Sequence, residues 1–255
     1  MKLDCILSAC NLNTMYMEFI PIFIKTWTKL YPRVHVKIVL ISTYIPEELK
    51  EYAPNLILFT PIVNVSTAFI SQYIRLLYPA ILNYKNGVMI TDIDMLPMNN
   101  TYYSKYIDIY DNNKFIYLRD VLIHTDKQIA MCYNVATSHI WKEVFNINSI
   151  DDINTRIVEC FKKINFVEGP GQSGWFTDQL DLYNAVQTWN KNTHNLVCLN
   201  DKNTKYARLD RIHMNSRILD KQIILNIKNG YYSDYHCLRP YSRYKEINDL
   251  IYNYC

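Results

Sequence analysis

Two aspartates at the end of an apolar run carry the strongest chemical signal in this chain. The stretch GVMITDIDMLP, Gly87 to Pro97, runs through apolar residues into Asp92, Ile93 and Asp94. Side chains alternate along a strand. A strand continued through this segment therefore puts Asp92 and Asp94 on one face and turns Ile93 towards a core. Two carboxylates on one face repel each other, and burying them unpaired is costly. A divalent cation resolves the conflict, and hard oxygen ligands suit Mg²⁺ or Mn²⁺. The competing reading of the pair is two solvated aspartates at a loop edge, one of them capping the turn before Pro97.

Such a pair needs a strand to deliver it and neighbours to shape what it binds. CILSAC (5–10) and VKIVLIS (36–42) are short β-branched runs bounded by polar residues, which predicts buried strands. Between them, YMEFIPIFIKTWTKLY (16–31) has helical spacing and is stopped by Pro32. EELKEYA predicts a short helix and NLILFTPIV a third strand. STAFISQYIRLLYPAILN (66–83) opens on a Ser/Thr cap signal and carries an apolar face through Ile70, Ile74, Leu77 and Ile81. GVMITDID follows as a strand. Strand and helix thus alternate over the first 100 residues or so, which predicts an open α/β sheet with helices on both faces. In such sheets ligands sit beyond the carboxyl ends of the strands, where Asp92 and Asp94 would be.

Further on, KFIYL and IAMCYNVA (129–136) predict strands, and SHIWKEVF and IDDINTRIVECFKKI predict helices. Three of the five glycines fall in EGPGQSG (168–174), a flexible loop ahead of the helix WFTDQLDLYNAVQTWN. HNLVCLN predicts a late strand, and YSRYKEINDLIYNYC a closing helix. With no repeat, low-complexity tract or linker, one domain over residues 1–255 is expected.

Composition narrows the function. The chain has 255 residues and is 49% apolar, enough for a large core. Its net charge is only +3 and no basic block stands out, so a nucleic-acid partner is not expected. No segment approaches the ~20 uninterrupted apolar residues that span a bilayer. Asp4 and Ser8 interrupt the N-terminal apolar run that a signal peptide would need, so a soluble, cytoplasmic location is expected. The seven cysteines include no CxxC pair, which argues against structural zinc and for small apolar residues in a reducing compartment.

The segment RLLYPAILNYKNGVMITDIDMLPM resembles the glycogenin-like and galactosyltransferase-like GT-A glycosyltransferases, in which a basic helix, a short turn and an apolar strand lead into D-x-D. The resemblance runs in segment order from residue 3 to residue 241. It implies a GT-A fold of the Rossmann-like kind, mostly parallel. A nucleotide-binding half would span about residues 1–100 and an acceptor-binding half about 101–255. It also implies that Asp92 and Asp94 hold a metal that grips the diphosphate of a nucleotide sugar, and that Arg75 reaches a phosphate with its planar fork. LSACNLNTMY (7–16) is similar to the family's nucleotide-binding segment, which assigns Ser8, Ala9, Asn11 and Tyr16 to the nucleotide. GWFTDQLDLY (174–183) resembles the segment that brings Asp178 and Gln179 near the sugar. DYHCLRPY (234–241) looks like the family's closing motif, with His236 as a third metal ligand and Arg239 as a basic residue on the donor. The gap from His236 to Arg239 is shorter than usual and lacks the family's glycine. His213 is the competing histidine. A histidine beside two carboxylates favours Mn²⁺ over Ca²⁺.

The reaction implied is transfer of a sugar from a nucleoside-diphosphate sugar, with UDP expected from the family, to a glycan or other hydroxyl acceptor. Likeness to glycogenin implies retention, with Gln179 at the sugar's cationic face. Inversion would need a carboxylate base, and Asp178 or Asp181 is the candidate. Position alone suggests that Arg208-Leu209-Asp210 meets the acceptor. Two alternatives remain. A haloacid-dehalogenase-type phosphatase also ends an apolar strand in D-x-D, although there the motif tends to open the domain. A binding module that holds a nucleotide sugar or glycan without turnover shares every feature above.

Overall fold

A computed structural model describes residues 1–214 and 219–255, except the side chain of His213. The first unit is β1 (Leu3–Asn11), a short α1 (Thr14–Met17), α2 (Ile20–Leu30) and β2 (His35–Ile41). The single helix expected over 16–31 is therefore two. Pro21 falls in the first turn of α2, where its missing N–H costs nothing, so the helix restarts there. Tight 3₁₀ turns over Glu47–Asn55 precede β3 (Leu56–Phe59). Then come α3 (Thr67–Leu77), a 3₁₀ turn over Tyr78–Ile81 where Pro79 ends α-helical winding, and β4 (Gly87–Ile90).

The chain continues with β5 (Met95–Pro97), α4 (Tyr102–Ile107), β6 (Phe115–Tyr117) and β7 (Asn134–Thr137). Three helices follow: α5 (Ser138–Phe145), α6 (Ile150–Lys162) and α7 (Thr177–Thr193). The last elements are β8 (Leu196–Cys198), α8 (Asp201–Thr204), β9 (Ala207–Asp210), α9 (Lys221–Lys228), β10 (Tyr232–His236) and α10 (Lys245–Tyr254).

The main sheet has seven strands in the order β3-β2-β1-β4-β7-β6-β8. Only β7 runs against its neighbours, so the sheet is mostly parallel, as expected. Its central strands are mostly apolar because both faces are covered. In β1, Ile6 and Cys10 join one core with α2 and α10, while Cys5, Leu7 and Ala9 join the other with α3, α5 and α7. Cys5, Cys10, Cys132 and Cys237 are buried, while Cys160, Cys198 and Cys255 are half-buried. A second sheet, β5-β10-β9, was not anticipated: β5 is only three residues long, and β9 and β10 are short and carry polar residues in place of the apolar runs that mark the main sheet.

The strand expected over 129–136 forms only from Asn134. Side chains take the backbone groups ahead of it. Ala130 N–H donates to the Tyr117 hydroxyl at 3.1 Å, and the Asn134 amide donates to the carbonyls of Ala130 at 2.8 Å and Met131 at 3.3 Å. Freed from the ladder, residues 130–132 line a cavity instead. Among the described residues, no helix is long and apolar enough to cross a membrane.

Gly87, where β4 packs against β1 and β7, allows a close approach. An added Cβ would stand 2.8 Å from Val135 Cγ2 and 3.0 Å from the carbonyl of Lys2. Gly87→Ala should destabilise the protein by about 1–3 kcal/mol, the cost of overpacking. Urea unfolding measures this, and an unchanged midpoint would mean the strands around Gly87 yield freely.

Candidate functional site

The strand carrying the aspartates ends sooner than alternation predicts. β4 stops at Ile90, and Asp92 and Asp94 lie on the turn into β5, closed by the Met95 N–H donating to the Asp92 carbonyl at 3.2 Å. The preceding carbonyl, Thr91, accepts from Ser8 Oγ at 2.9 Å and from Arg75 Nη1 at 3.4 Å instead of from a ladder partner. Ile93 is 4% exposed and enters the core, as expected, and both carboxylates still line one cavity of about 280 Å³. It opens beyond the carboxyl ends of β1 and β4.

One half of the cavity is built on Arg75 of α3. Its guanidinium is buried, pairs with the Asp92 carboxylate, and reaches Asp178 Oδ2 at 3.4 Å. Asp178 sits in the first turn of α7. Burial pushes its carboxyl up to about 7; Arg75 opposes this and Asp92 adds to it. Gln179 lines the same wall, and its carbonyl accepts from the Ile129 N–H at 3.2 Å, which ties α7 to the 130–132 segment.

The other half is built on Asp94, only 4% exposed. Its Oδ2 lies 2.7 Å from Arg211 Nη1, 3.4 Å from Arg239 Nη1 and 3.6 Å from His236 Nε2. Burial alone would raise its pKa, but hydrogen bonding and charge from His236, with both arginines, hold it well below the usual carboxylate range. His236 Nδ1 meets Asp210 Oδ2 at 3.2 Å, since β9 and β10 pair in a register that sets Asp210 beside His236. Burial favours neutral imidazole, yet these two carboxylates raise the His236 pKa. Arg239 also donates to the Tyr16 hydroxyl at 2.8 Å and lies over that ring, 5.1 Å from its centroid.

Of the residues singled out from sequence, Ala9, Asn11, Tyr16, Arg75, Asp92, Asp94, Asp178, Gln179, His236 and Arg239 all line this cavity. Ser8 does not: it is fully buried in β1. Asp181 faces a separate groove beside α6, where its carboxylate accepts from the Tyr73 hydroxyl at 2.6 Å. Arg208 is turned to the buried Asp234 at 2.6 Å and Leu209 is buried; within 208–210 Asp210 meets the site through His236, and Arg208 reaches it only from behind, where Nη2 lies 3.2 Å from Cys132 Sγ. The His213 side chain lies outside the described residues. Sequence reasoning missed Arg211, Gln72, Cys132 and Trp175, which also line the cavity. No motif marks Arg211; it enters because β9 ends beside β10.

The glycine-rich loop forms part of the wall through Glu168, Pro170 and Trp175. Glu168 Oε1 accepts from the Asn13 amide at 3.1 Å, which joins the loop to the start of α1. Gly174 has φ +71° and an added Cβ would meet Phe166 Cα at 3.2 Å, so glycine is required at this bend.

The donor types suit a divalent cation: two carboxylates and an imidazole on the walls of one cavity, with Asp210 fixing the imidazole from behind. A preformed cage is not present. Among the described residues no three His, Cys, Asp or Glu side chains are grouped to hold a metal; Arg75 pairs with Asp92 and Arg211 with Asp94.

No protein-family model and no curated protein matches the chain. Solved structures do. The galactosyltransferase LgtC, in complex with donor and acceptor sugar analogs, is similar over 96% of this chain and 95% of its own, with a TM-score of 0.52 at 15% identity. An active-site mutant of LgtC, glutamine to glutamate, gives 0.52 at 13% identity over the same shares. The glycosyltransferase GlyE of Streptococcus pneumoniae TIGR4 gives 0.54 at 13% identity over 99% of this chain and 63% of its own. The chain has the GT-A glycosyltransferase fold.

A carboxyl whose folded pKa stands above its unfolded value takes up a proton on folding. Asp178 therefore contributes stability that is fully present below pH ~4 and lost as pH rises through about 7. Wild-type stability should fall between pH 4 and 8 relative to Asp178→Asn, by roughly 2–4 kcal/mol. Coincident profiles in urea unfolding would show that the carboxyl titrates normally.

Proposed function

We propose that this chain is a metal-dependent glycosyltransferase that moves a sugar from a nucleoside-diphosphate sugar, UDP-linked in the first instance, to a hydroxyl of a glycan acceptor, with retention. The observation that carries this reading is the convergence on one cavity, at the carboxyl ends of β1 and β4, of Asp92, Asp94 and His236 with Arg75, Arg211 and Arg239. The fold supports it too: the similar structures are of glycosyltransferases, and one is of a complex with donor and acceptor sugar analogs.

Asp92, Asp94 and His236 are the side chains that would hold Mn²⁺ or Mg²⁺. Such an ion, when bound, supplies the positive charge that a departing diphosphate needs. The chain's own residues do the rest. Tyr16, in the short α1 that follows β1, offers a ring for the base, and the backbone around Ala9 and Asn11 offers polar groups to its edges. Arg239, set by Tyr16, neutralises phosphate charge. Gln179 faces the sugar; an active-site glutamine is likewise the residue changed in one similar structure. Asp178, held against Arg75, orients sugar hydroxyls. The loop carrying Glu168 and Trp175 excludes water, which would otherwise hydrolyse the sugar. The acceptor hydroxyl must lie close and in line with the sugar carbon, and retention lets a donor phosphate oxygen take its proton.

The phosphatase alternative places its D-x-D where the domain opens, whereas here the motif follows the fourth strand of a GT-A fold. A binding module without turnover would bind donor and yield no product.

Thermal unfolding with UDP, GDP, CMP and dTDP, each with and without Mn²⁺, tests the reading. A ligand at 100 times its Kd stabilises the native state by about 2.7 kcal/mol. One nucleoside diphosphate should raise the melting temperature only with Mn²⁺; no shift with any of the four overturns the reading. Asp94→Asn should abolish the Mn²⁺-dependent shift. His236→Ala should weaken Mn²⁺ binding ~10-fold or more, by analogy with partners one step further from the ion. His213→Ala should leave it unchanged; the reverse result would reassign the third ligand.

A further inference from the structure

Three cationic groups crowd one oxygen. Asp94 Oδ2 faces Arg211 at 2.7 Å, Arg239 at 3.4 Å and His236 at 3.6 Å. One carboxylate does not need so much positive charge, and among the described residues Asp210 is the only other carboxylate bonded to this cluster. This wall of the cavity is therefore a receptor for anions. The opposite wall has the reverse balance, with Arg75 between Asp92 and Asp178.

The two arginines are not held alike. Arg239 shares its Nη1 between Asp94 at 3.4 Å and the Tyr16 hydroxyl at 2.8 Å, and lies over the Tyr16 ring. Arg211 spends its Nη1 on Asp94 and on the carbonyl of Cys237 at 3.0 Å. A guanidinium carries five donors. Among the described residues the other Arg211 nitrogens have no hydrogen-bond partner, although the side chain lines the cavity.

We propose that Arg211 and Asp94 form an exchangeable pair: Arg211 holds the Asp94 carboxylate while no cation is bound, gives it up to a divalent ion, and turns its freed guanidinium to the diphosphate. This rests on the proposed function. Charge forces the exchange. A divalent ion binds a carboxylate at about 2.0–2.2 Å, and a guanidinium at 2.7 Å from the same oxygen is repelled by it. A diphosphate at the anion-receiving wall gives the displaced cation a partner that its planar fork fits. Arg211 would thus oppose the bare ion and favour the ion together with its diphosphate, which discourages metal from occupying the site without donor.

The pair predicts effects of opposite sign, which separates it from a structural role. Titration calorimetry with MnCl₂ alone, then with inorganic pyrophosphate at saturating Mn²⁺, reads both without depending on the base or on turnover. Arg211→Gln should bind Mn²⁺ alone about 3–10-fold tighter, because its competitor is gone, and pyrophosphate about 10-fold or more weaker. Arg211→Lys, which keeps the charge but not the fork, should fall between the two in pyrophosphate affinity. If wild type binds both probes and Arg211→Gln shifts both in one direction, or neither, the exchange is overturned while the glycosyltransferase reading stands. If wild type binds neither probe, both fall together.

Discussion

Carboxylates gathered at the mouth of a parallel sheet must be neutralised, and that need organises this molecule. Asp94 and Asp178 are each 4% exposed, and neither could stay ionised there without cations close by. Asp94 has three such groups and its pKa falls; Asp178 has one, shared with Asp92, and its pKa rises. The same carboxyl chemistry thus takes two opposite states in one cavity. The difference is set by how many cations each neighbouring strand or helix delivers.

Delivery to Asp94 is the work of the small sheet. β5 begins one residue after Asp94, β9 ends at Asp210 and β10 ends at His236. The register sets His236 beside Met95 on one side and Asp210 on the other, so three distant segments present their functional side chains at adjacent strand ends. Holding that register is Asp234, fully buried on β10, where Arg208 bonds it at 2.6 Å and Arg119 at 3.2 Å. A buried ion-pair cluster is weak support for stability, because desolvation offsets most of its attraction. Its better-attested use is to specify one arrangement over others. Here a one-residue slip of β10 would turn His236 away from Asp94 and strand the Asp234 charge among apolar neighbours.

How much of this was legible in the sequence follows from which physics had a local signature. β1 and β2 announce themselves because a strand covered on both faces carries a near-continuous apolar run. The small sheet does not, since YSDYH and ARLD carry polar residues for one another and for the site. Asp178 and Asp181 could have been separated. In α7 the buried residues are Asp178, Leu182 and Val186, a stripe with i, i+4 spacing, so Asp178 shares the inward face and Asp181 is left beside it. Ser8 could not have been placed so easily, because a serine in an apolar strand reads equally as a site residue or as a buried donor. The structure shows the latter, with its hydroxyl on Thr91. Arg211 has no signature of its own, because its position depends on pairing between segments 26 residues apart in register.

The D-x-D turn is best understood as the seam between the two halves. Asp92 belongs to the helix side, through Arg75 of α3, and Asp94 to the small-sheet side, through Arg211 and His236. Ile93 between them is driven into the core that also holds Met95 and Leu96. With that single side chain anchored, both carboxylates are left facing the one cavity. A strand would have achieved the same facing by alternation, but it would have committed the Asp92 and Asp94 backbones to a ladder. Ending β4 at Ile90 and capping Thr91 with Ser8 and Arg75 lets one turn bridge a wall rich in acid and a wall rich in base. A ligand with a neutral, hydroxyl-bearing end and a dianionic end matches that polarity in only one orientation.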